Sequence, residues 1–245
     1  MENANPQIAH LVFCRHAKIA VPKKPKELFF CSRTINRYFC NMEQLEIFGN
    51  IKNESGIVKI QNGEYIYIPS FIDKTKSDFY LNTLLQEIDW KQEKMKMYGK
   101  LLMFPRLTAW YGDSEKPYTF SGITLTPNSW TKELLDIKKE IELKCKVKFN
   151  SVLLNLYRNG KDSISWHTDA EKELGRNPII ASVNFGATRM FQLRHQQTKE
   201  RIEIELKHGS LLIMQGELQH YWQHQVPKTK KEIRERINLT FRVIK

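Results

Sequence analysis

Ser163-Ile164-Ser165-Trp166-His167-Thr168-Asp169 is the stretch on which the reading of this chain turns. In an extended strand, side chains two apart share a face, so His167 and Asp169 point the same way with one imidazole nitrogen and one carboxylate. These are two of the three protein ligands of a 2-His-1-carboxylate metal site, whose third ligand can come from a distant strand. A His-x-Asp pair is common by chance, and its weight depends on its surroundings.

From Phe149 onward the apolar period is two. Ser151 to Tyr157, Ser163 to His167, Ile179 to Phe185, Arg189 to Leu193, Arg201 to Leu206, Leu211 to Met214, Tyr221 to Val226 and Arg236 to Ile244 read as strands with short connections. Many closely spaced strands without crossover helices predict an antiparallel sandwich or barrel, of which the jelly roll is one solution. Upstream, Tyr65-Ile66-Tyr67-Ile68 predicts a strand ended by Pro69, and Asp73 caps a helix reaching Trp90 with Phe79, Leu84, Leu85 and Ile88 on its buried side. Lys94 to Phe104 mixes apolar and basic residues around Gly99, which predicts a hairpin or exposed finger. Tyr111-Gly112-Asp113 and Tyr118-Thr119-Phe120-Ser121-Gly122 read as aromatic turns and loops. A second helix follows Pro127-Asn128, with Trp130, Leu134, Ile137, Ile141 and Cys145 at three- and four-residue intervals. The expectation is an α+β protein. Its helices cover one outer face of a β core at about 149–245, residues 61–245 form one domain, and residues 1–60 carry no readable motif.

The chain has 245 residues, with 39 Lys and Arg against 27 Asp and Glu, a formal net charge of +12. A surplus of that size favours a polyanionic partner, most simply nucleic acid. Cys14, Cys31, Cys40 and Cys145 have no CxxC spacing, which argues against a zinc ribbon or a disulfide scaffold. The opening residues lack a signal-peptide pattern, and no apolar run approaches a membrane span. The expectation is an intracellular protein, nuclear or cytoplasmic, away from membranes.

Arg236 to Val243 alternates strictly, with Ile237, Leu239, Phe241 and Val243 on one face and Arg236, Asn238, Thr240 and Arg242 on the other. Such a polar face can meet water. In a barrel that holds a small ligand it can instead point inward, where two guanidiniums with Asn and Thr between them suit a dicarboxylate. Asn155 and Tyr157, also two apart, add donors from another strand. For the third metal ligand His195, His208, His220 and His224 are all candidates. His195 sits in a polar loop and His208 before a turn glycine, which leaves His220 and His224, both near Trp222.

Asn155-Leu156-Tyr157-Arg158-Asn159-Gly160 through Trp166-His167-Thr168-Asp169, Ile180 to Ala187, and Asn238-Leu239-Thr240-Phe241-Arg242 together resemble the AlkB family of Fe(II)/2-oxoglutarate-dependent nucleic-acid demethylases. The resemblance runs from about Gly63 to the C-terminus. It is nearest to the subgroup repairing alkylated DNA and RNA, whose substrate-lid segments resemble Pro105-Arg106-Leu107-Thr108, Tyr111-Gly112-Asp113 and Tyr118 to Gly122.

The resemblance implies a double-stranded β-helix (jelly roll) core with a lid at about 91–122. It implies Fe(II) held by His167, Asp169 and His224, and 2-oxoglutarate held by Asn155, Tyr157, Arg236, Asn238, Thr240 and Arg242. Phe120 and the ring of His167 would sandwich the damaged base, with Tyr118 and Ser121 beside them. Met97-Tyr98-Gly99-Lys100 would be the finger that fills the gap left by an extruded nucleotide. Where the subgroup has a second acid directly after the metal-binding Asp, this chain has Ala170, with Glu171 as the substitute carboxylate.

The implied activity is oxidative demethylation of bases such as 1-methyladenine and 3-methylcytosine in DNA or RNA. It uses O2 and releases formaldehyde, from a monomer with no catalytic group beyond the metal site. The base would have to be flipped or already single-stranded. The competing readings are a 2-oxoglutarate-dependent hydroxylase of a protein or other non-nucleic-acid substrate, and a non-catalytic nucleic-acid-binding module.

Overall fold

Two antiparallel sheets face each other across an interior that is apolar at one end and polar at the other, in a computed structural model that describes residues 56–97, 100–113, 118–120, 123–125 and 127–245. The chain opens with the hairpin β1 (Ile57–Ile60) and β2 (Gly63–Ile68), followed by helix α1 (Lys74–Glu87). Strands β3 (Lys94–Met97) and β4 (Lys100–Met103) pair as a separate hairpin, and β5 (Leu107–Gly112) follows. A second small hairpin, β6 (Tyr118–Phe120) and β7 (Ile123–Leu125), precedes helix α2 (Lys132–Cys145).

The remaining strands are β8 (Ser151–Tyr157), β9 (Ile164–His167), β10 (Ile180–Gly186), β11 (Arg189–His195), β12 (Arg201–Leu206) and β13 (Ser210–Gln215). After the single-turn α3 (Leu218–Tyr221) come β14 (Trp222–Val226) and β15 (Arg236–Arg242). The large sheet runs β1-β2-β13-β10-β15-β8-β5 and the small one β12-β11-β14-β9. This is the expected jelly roll.

Both helices start where a side chain can satisfy the free N–H groups of the first turn. Asp73 accepts from the Lys76 N–H at 3.0 Å and Thr131 from the Leu134 N–H at 3.3 Å, each cap contributing about 1 kcal/mol. The helices cover one face of the large sheet. Tyr80 and Leu84 of α1, and Leu134, Ile137 and Ile141 of α2, pack on Val152, Leu154, Val183, Phe185, Leu239 and Phe241. The opposite face of the same strands carries Leu153, Asn155, Tyr157, Ser182, Asn184 and the polar side chains of β15, because successive residues alternate. All seven residues of β15 are therefore buried.

The structure corrects the reading at several places. Helix α1 stops at Glu87 because Ile88 is extended. Its buried stripe is Ser77, Tyr80 and Leu84, continued by Ile88, while Phe79 lies off that stripe and is 56% exposed. Tyr80→Ala is thus expected to cost about 3–5 kcal/mol, as for a large aromatic in a core. Phe79→Ala stays within about 0.5 kcal/mol, as on a surface. Urea unfolding compares the two. Tyr111-Gly112 ends β5 and Tyr118–Phe120 is β6, so these aromatics lie in paired strands rather than loops. Trp130 precedes the cap of α2, where its ring stacks on Phe241 and its N–H donates to Asp113 at 2.8 Å.

The outer edge of β5 is covered. Lys91 exchanges both backbone hydrogen bonds with Thr108, and Asn128 takes the next places along the strand.

Candidate metal centre and anion pocket

The two sheets bring His167, Asp169 and His224 together at one end of the interior. His167 ends β9 and pairs directly with His224 of β14, which puts the two rings 4.1 Å apart between centroids. Asp169 follows two residues later, and its backbone N–H donates to the Oε1 of buried Gln219 at 2.9 Å. The Nε2 of His167 lies 3.8 Å from Asp169 Oδ1, and the Nε2 of His224 lies 3.8 Å from Asp169 Oδ2. One ligand atom from each residue lies within 4.8 Å of the others, the spacing of a set that shares one ion.

The protonation states suit that ion. His167 Nδ1 is 2.8 Å from the carbonyl of Ser165, so Nδ1 carries the proton and Nε2 presents its lone pair. Burial, reinforced by His167, pushes His224 down to about 3, which keeps its imidazole neutral. Burial would raise the Asp169 carboxyl, but Arg242 at 2.8 Å, with His224 and His167, brings it down to about 2. Two imidazoles and one carboxylate form the facial set of non-haem Fe(II) and leave coordination positions open.

These shifts have a stability consequence for the metal-free chain. His224 is lowered from an ordinary 6.5, so the unfolded chain takes up a proton below that pH while the folded chain does not. Its contribution is complete above pH 6.5 and is lost as pH falls toward 3. Asp169 has the same sign, between 3.8 and about 2. Urea unfolding of the metal-free chain is expected to lose up to about 1.4 kcal/mol per pH unit between pH 6 and 4. His224→Asn should flatten that slope, and an unchanged slope would contradict the assignment.

Beyond the three ligands lies a cavity of about 40 Å³, lined by Asn155, Tyr157, Ser182, Arg236, Asn238, Thr240 and Arg242 on the large sheet and by Ile164, Phe191 and Val226 opposite. Its polarity is unbalanced. Arg236 is buried; its Nη2 donates to Asn184 Oδ1 at 2.5 Å, while its Nε and Nη1 have no hydrogen-bond partner among the described residues. Burial pushes Arg236 down to about 10, so it remains charged at neutral pH. A buried cation with unused donors is costly unless an anion meets it.

The rest of the wall is held in place. Asn238 donates to Ser182 Oγ at 2.7 Å and accepts from Thr240 Oγ1 at 3.1 Å, and Arg106 Nε donates to Asn155 Oδ1 at 2.7 Å. The donor set suits a small dicarboxylate.

The other histidines lie elsewhere. His195 is fully buried at the end of β11 against Tyr221 and Trp222, rather than in a loop. His208 accepts from the Gly186 N–H and faces Asp78, and His220 meets Asn177. Glu171 precedes a 3-10 turn, Lys172–Leu174, outside the lining of the cavity, and its Oε2 is buried without a hydrogen-bond partner among the described residues. Met97 and Lys100 lie in the β3–β4 hairpin, and Tyr118 and Phe120 in β6. Tyr98, Gly99 and Ser121 lie outside the described residues.

Sequence reasoning missed Arg106, Ser182, Asn184 and Gln219. Ser182 and Asn184 did carry a signal, as two polar residues at alternate positions of the otherwise apolar Ile180–Phe185. Arg106 was noted only within the lid-like Pro105–Thr108 segment and Gln219 carried no signal, since only tertiary contact brings them to the site.

Residues 64–242 match the family model described as the 2OG-Fe(II) oxygenase superfamily. The chain is 47% identical over 186 residues to alpha-ketoglutarate-dependent dioxygenase alkB homolog 3 of Homo sapiens and of Bos taurus, covering 72% of this chain and 64% of each relative. It is 39% identical over 185 residues to DNA oxidative demethylase ALKBH2 of Mus musculus, covering 70% of this chain and 76% of that relative. The chain thus spans about 64% of the length of the alkB homolog 3 proteins. Among solved structures, that of OsALKBH1 superposes with a TM-score of 0.55 at 15% identity, over 75% of this chain and 99% of the other, a likeness of fold.

Proposed function

Because the chain belongs to the 2OG-Fe(II) oxygenase superfamily, in its AlkB branch, we propose that it oxidatively demethylates N-alkylated bases of the 1-methyladenine and 3-methylcytosine type in DNA or RNA. One arrangement carries the reading: three ligand atoms within 4.8 Å of one another, at the end of a cavity whose buried Arg236 has two unused donors. His167, Asp169 and His224 hold Fe(II). Asn155, Tyr157, Arg236, Asn238, Thr240 and Arg242 hold 2-oxoglutarate.

When bound, Fe(II) with 2-oxoglutarate and O2 supplies the oxidation that converts an N-methyl group to a hydroxymethyl group, with succinate and carbon dioxide as co-products and formaldehyde leaving from the base. The protein binds, orients and keeps water out. Arg236 and Arg242 neutralise the dicarboxylate, and Ile164, Phe191 and Val226 dry the opposite wall.

The cavity is given over to the dicarboxylate, so the base is presented from outside, flipped or already single-stranded. The β3–β4 hairpin fits that task. Leu101, Leu102 and Met103 of β4 are 65%, 44% and 48% exposed beside a run of lysines, an apolar and basic surface suited to nucleic acid. In this reading Met97, Tyr98, Gly99 and Lys100 enter the gap in the strand. Tyr118, Phe120 and Ser121 form the lid, and Glu171 supplies the carboxylate that Ala170 lacks. The net charge of +12 supplies the sequence-independent attraction to phosphate.

The reading places the oxygenase domain at about 61–245 and takes the enzyme to be an intracellular monomer. Among the described residues, no helix is long and apolar enough to cross a membrane.

The test measures formaldehyde and repaired base from 3-methylcytosine oligonucleotides, as DNA and RNA, single- and double-stranded, with and without 2-oxoglutarate. Turnover that requires both Fe(II) and 2-oxoglutarate is expected. No repair of any of the four oligonucleotides would overturn the proposal.

A further inference from the structure

Arg189 is 3% exposed, yet it does not line the cavity. Its side chain bridges loops instead. Nη1 donates to the carbonyl of Asn159 at 3.2 Å, and Nη2 donates to those of Asp162 at 2.9 Å and Pro227 at 2.7 Å. Asn159 and Asp162 lie in the turn that leaves β8, and Pro227 directly follows β14. One guanidinium therefore ties together the ends of the strands that carry Tyr157 and His224.

Among the described residues Arg189 makes no ion pair, since Asp162 is engaged by Arg158 at 2.7 and 2.9 Å. Its charge thus rests on carbonyl dipoles and on the nearby charge of Asp162, which Arg158 already pairs, an arrangement costly enough to need a return. That return lies at the Tyr157 ring, which is 2% exposed. The Arg189 guanidinium is 5.5 Å from its centroid, and the Arg236 guanidinium is 5.0 Å from the same centroid. The backbone fixes the same relation. Gly186, just before the turn to Arg189, pairs with Arg236, and the Ala187 N–H donates to the Glu235 carbonyl at 3.0 Å. At Gly186 φ is +89°, and a Cβ would meet that carbonyl oxygen at 2.3 Å, so the turn has no room for a side chain.

We propose that Arg189 is a positioning residue for the dicarboxylate, an inference that rests on the 2-oxoglutarate reading above. Clamped by three loop carbonyls, it fixes the Tyr157 ring against which Arg236 lies, and so aims the unused donors of Arg236 into the cavity. Lysine cannot replace it, because a single ammonium lacks the planar fork that meets three carbonyls and a ring at once.

The experiment titrates 2-oxoglutarate into the 245-residue chain loaded with Mn(II), by calorimetry, alongside steady-state kinetics with Fe(II). Arg189→Lys is expected to raise both Kd and KM for 2-oxoglutarate by about 10–100-fold, the usual effect of a supporting contact, with kcat at saturation changed by less than about twofold. In a Tyr157→Leu background the same substitution should add less than about threefold, since the element it acts through is gone.

Arg189→Lys will also melt lower. For that reason the rise in melting temperature on adding 2-oxoglutarate is read as well, and Arg189→Gln, which keeps two donors, is run beside it. Unchanged 2-oxoglutarate affinity in both variants, with normal binding by the unsubstituted chain, overturns the inference alone, and so does an equal loss in the Tyr157→Leu background. If the unsubstituted chain fails to bind 2-oxoglutarate, the functional reading falls and the inference with it.

Discussion

Asp169→Ala reduces formaldehyde release to that of the metal-free chain, a loss of more than about a hundredfold. The scale follows from a comparison: partners that merely orient metal ligands cost 10–100-fold when removed, and Asp169 is proposed as a ligand itself. Its carboxylate sits between the Nε2 atoms of His167 and His224, 3.8 Å from each, and among the described residues no other carboxylate belongs to the cluster. The same substitution removes the anion 2.8 Å from Arg242, and breaking a buried pair in this way costs about 3–5 kcal/mol. Loss of activity could therefore reflect unfolding. Asp169→Asn separates the two, since it keeps the shape and the N–H donated to Gln219 while removing the charge. Circular dichroism melts and Mn(II) binding decide the matter. A folded Asp169→Asn chain that binds Mn(II) like the parent would refute the assignment.

Arg236→Met weakens 2-oxoglutarate binding by about 10²–10³-fold, because truncating one partner of a buried charged pair costs about 2–5 kcal/mol and each 1.4 kcal/mol is tenfold. Methionine fills much of the volume, so the β15 ladder and the ring contact with Tyr157 are largely kept. The Nε and Nη1 donors have no partner to lose among the described residues, so the fold gives up only the Nη2 bond to Asn184, which a urea melt reads separately from the ligand penalty. The predicted signature is a raised KM for 2-oxoglutarate with kcat recovered at saturation, and an Fe(II) requirement unchanged from the parent. A parent-like KM would mean that another group holds the dicarboxylate.

Period-two alternation was the most legible part of this protein. It located all eight strands from Ser151 onward to within a residue or two, because each has one face in the interior and the other against helices or solvent. Helix α1 was legible as a helix but not in its orientation. Phe79 and Leu84 are equally apolar in the sequence, and only the packing of Tyr80 on Phe185 selects the stripe that is buried. The aromatic segments at Tyr111 and Tyr118 read as loops because glycine and polar neighbours mask short strands, and the partner of Tyr111, Val152, lies far away along the chain.

Within the site, His167 and Asp169 were legible as a pair because one strand segment carries both. Physical reasoning alone left two histidines open for the third ligand, and family resemblance chose between them; the structure brings His224 alone to the pair through the β9–β14 register. Spacing along the chain determines which side chains share a face, and that decided the antiparallel sandwich-or-barrel class, the His-x-Asp face and the four-residue polar face of β15, while the family resemblance chose the jelly roll. Only the tertiary structure decided that this polar face points inward. There it meets Asn155 and Tyr157 of β8 and Asn184 of β10, with Arg106, Gln219 and Arg189 as supports. The physical reason is that alternation is a local property of one strand, whereas the side of a sheet that faces water is settled by what packs on the other side. Here α1 and α2 occupy that other side, and the arginines are left facing the cavity.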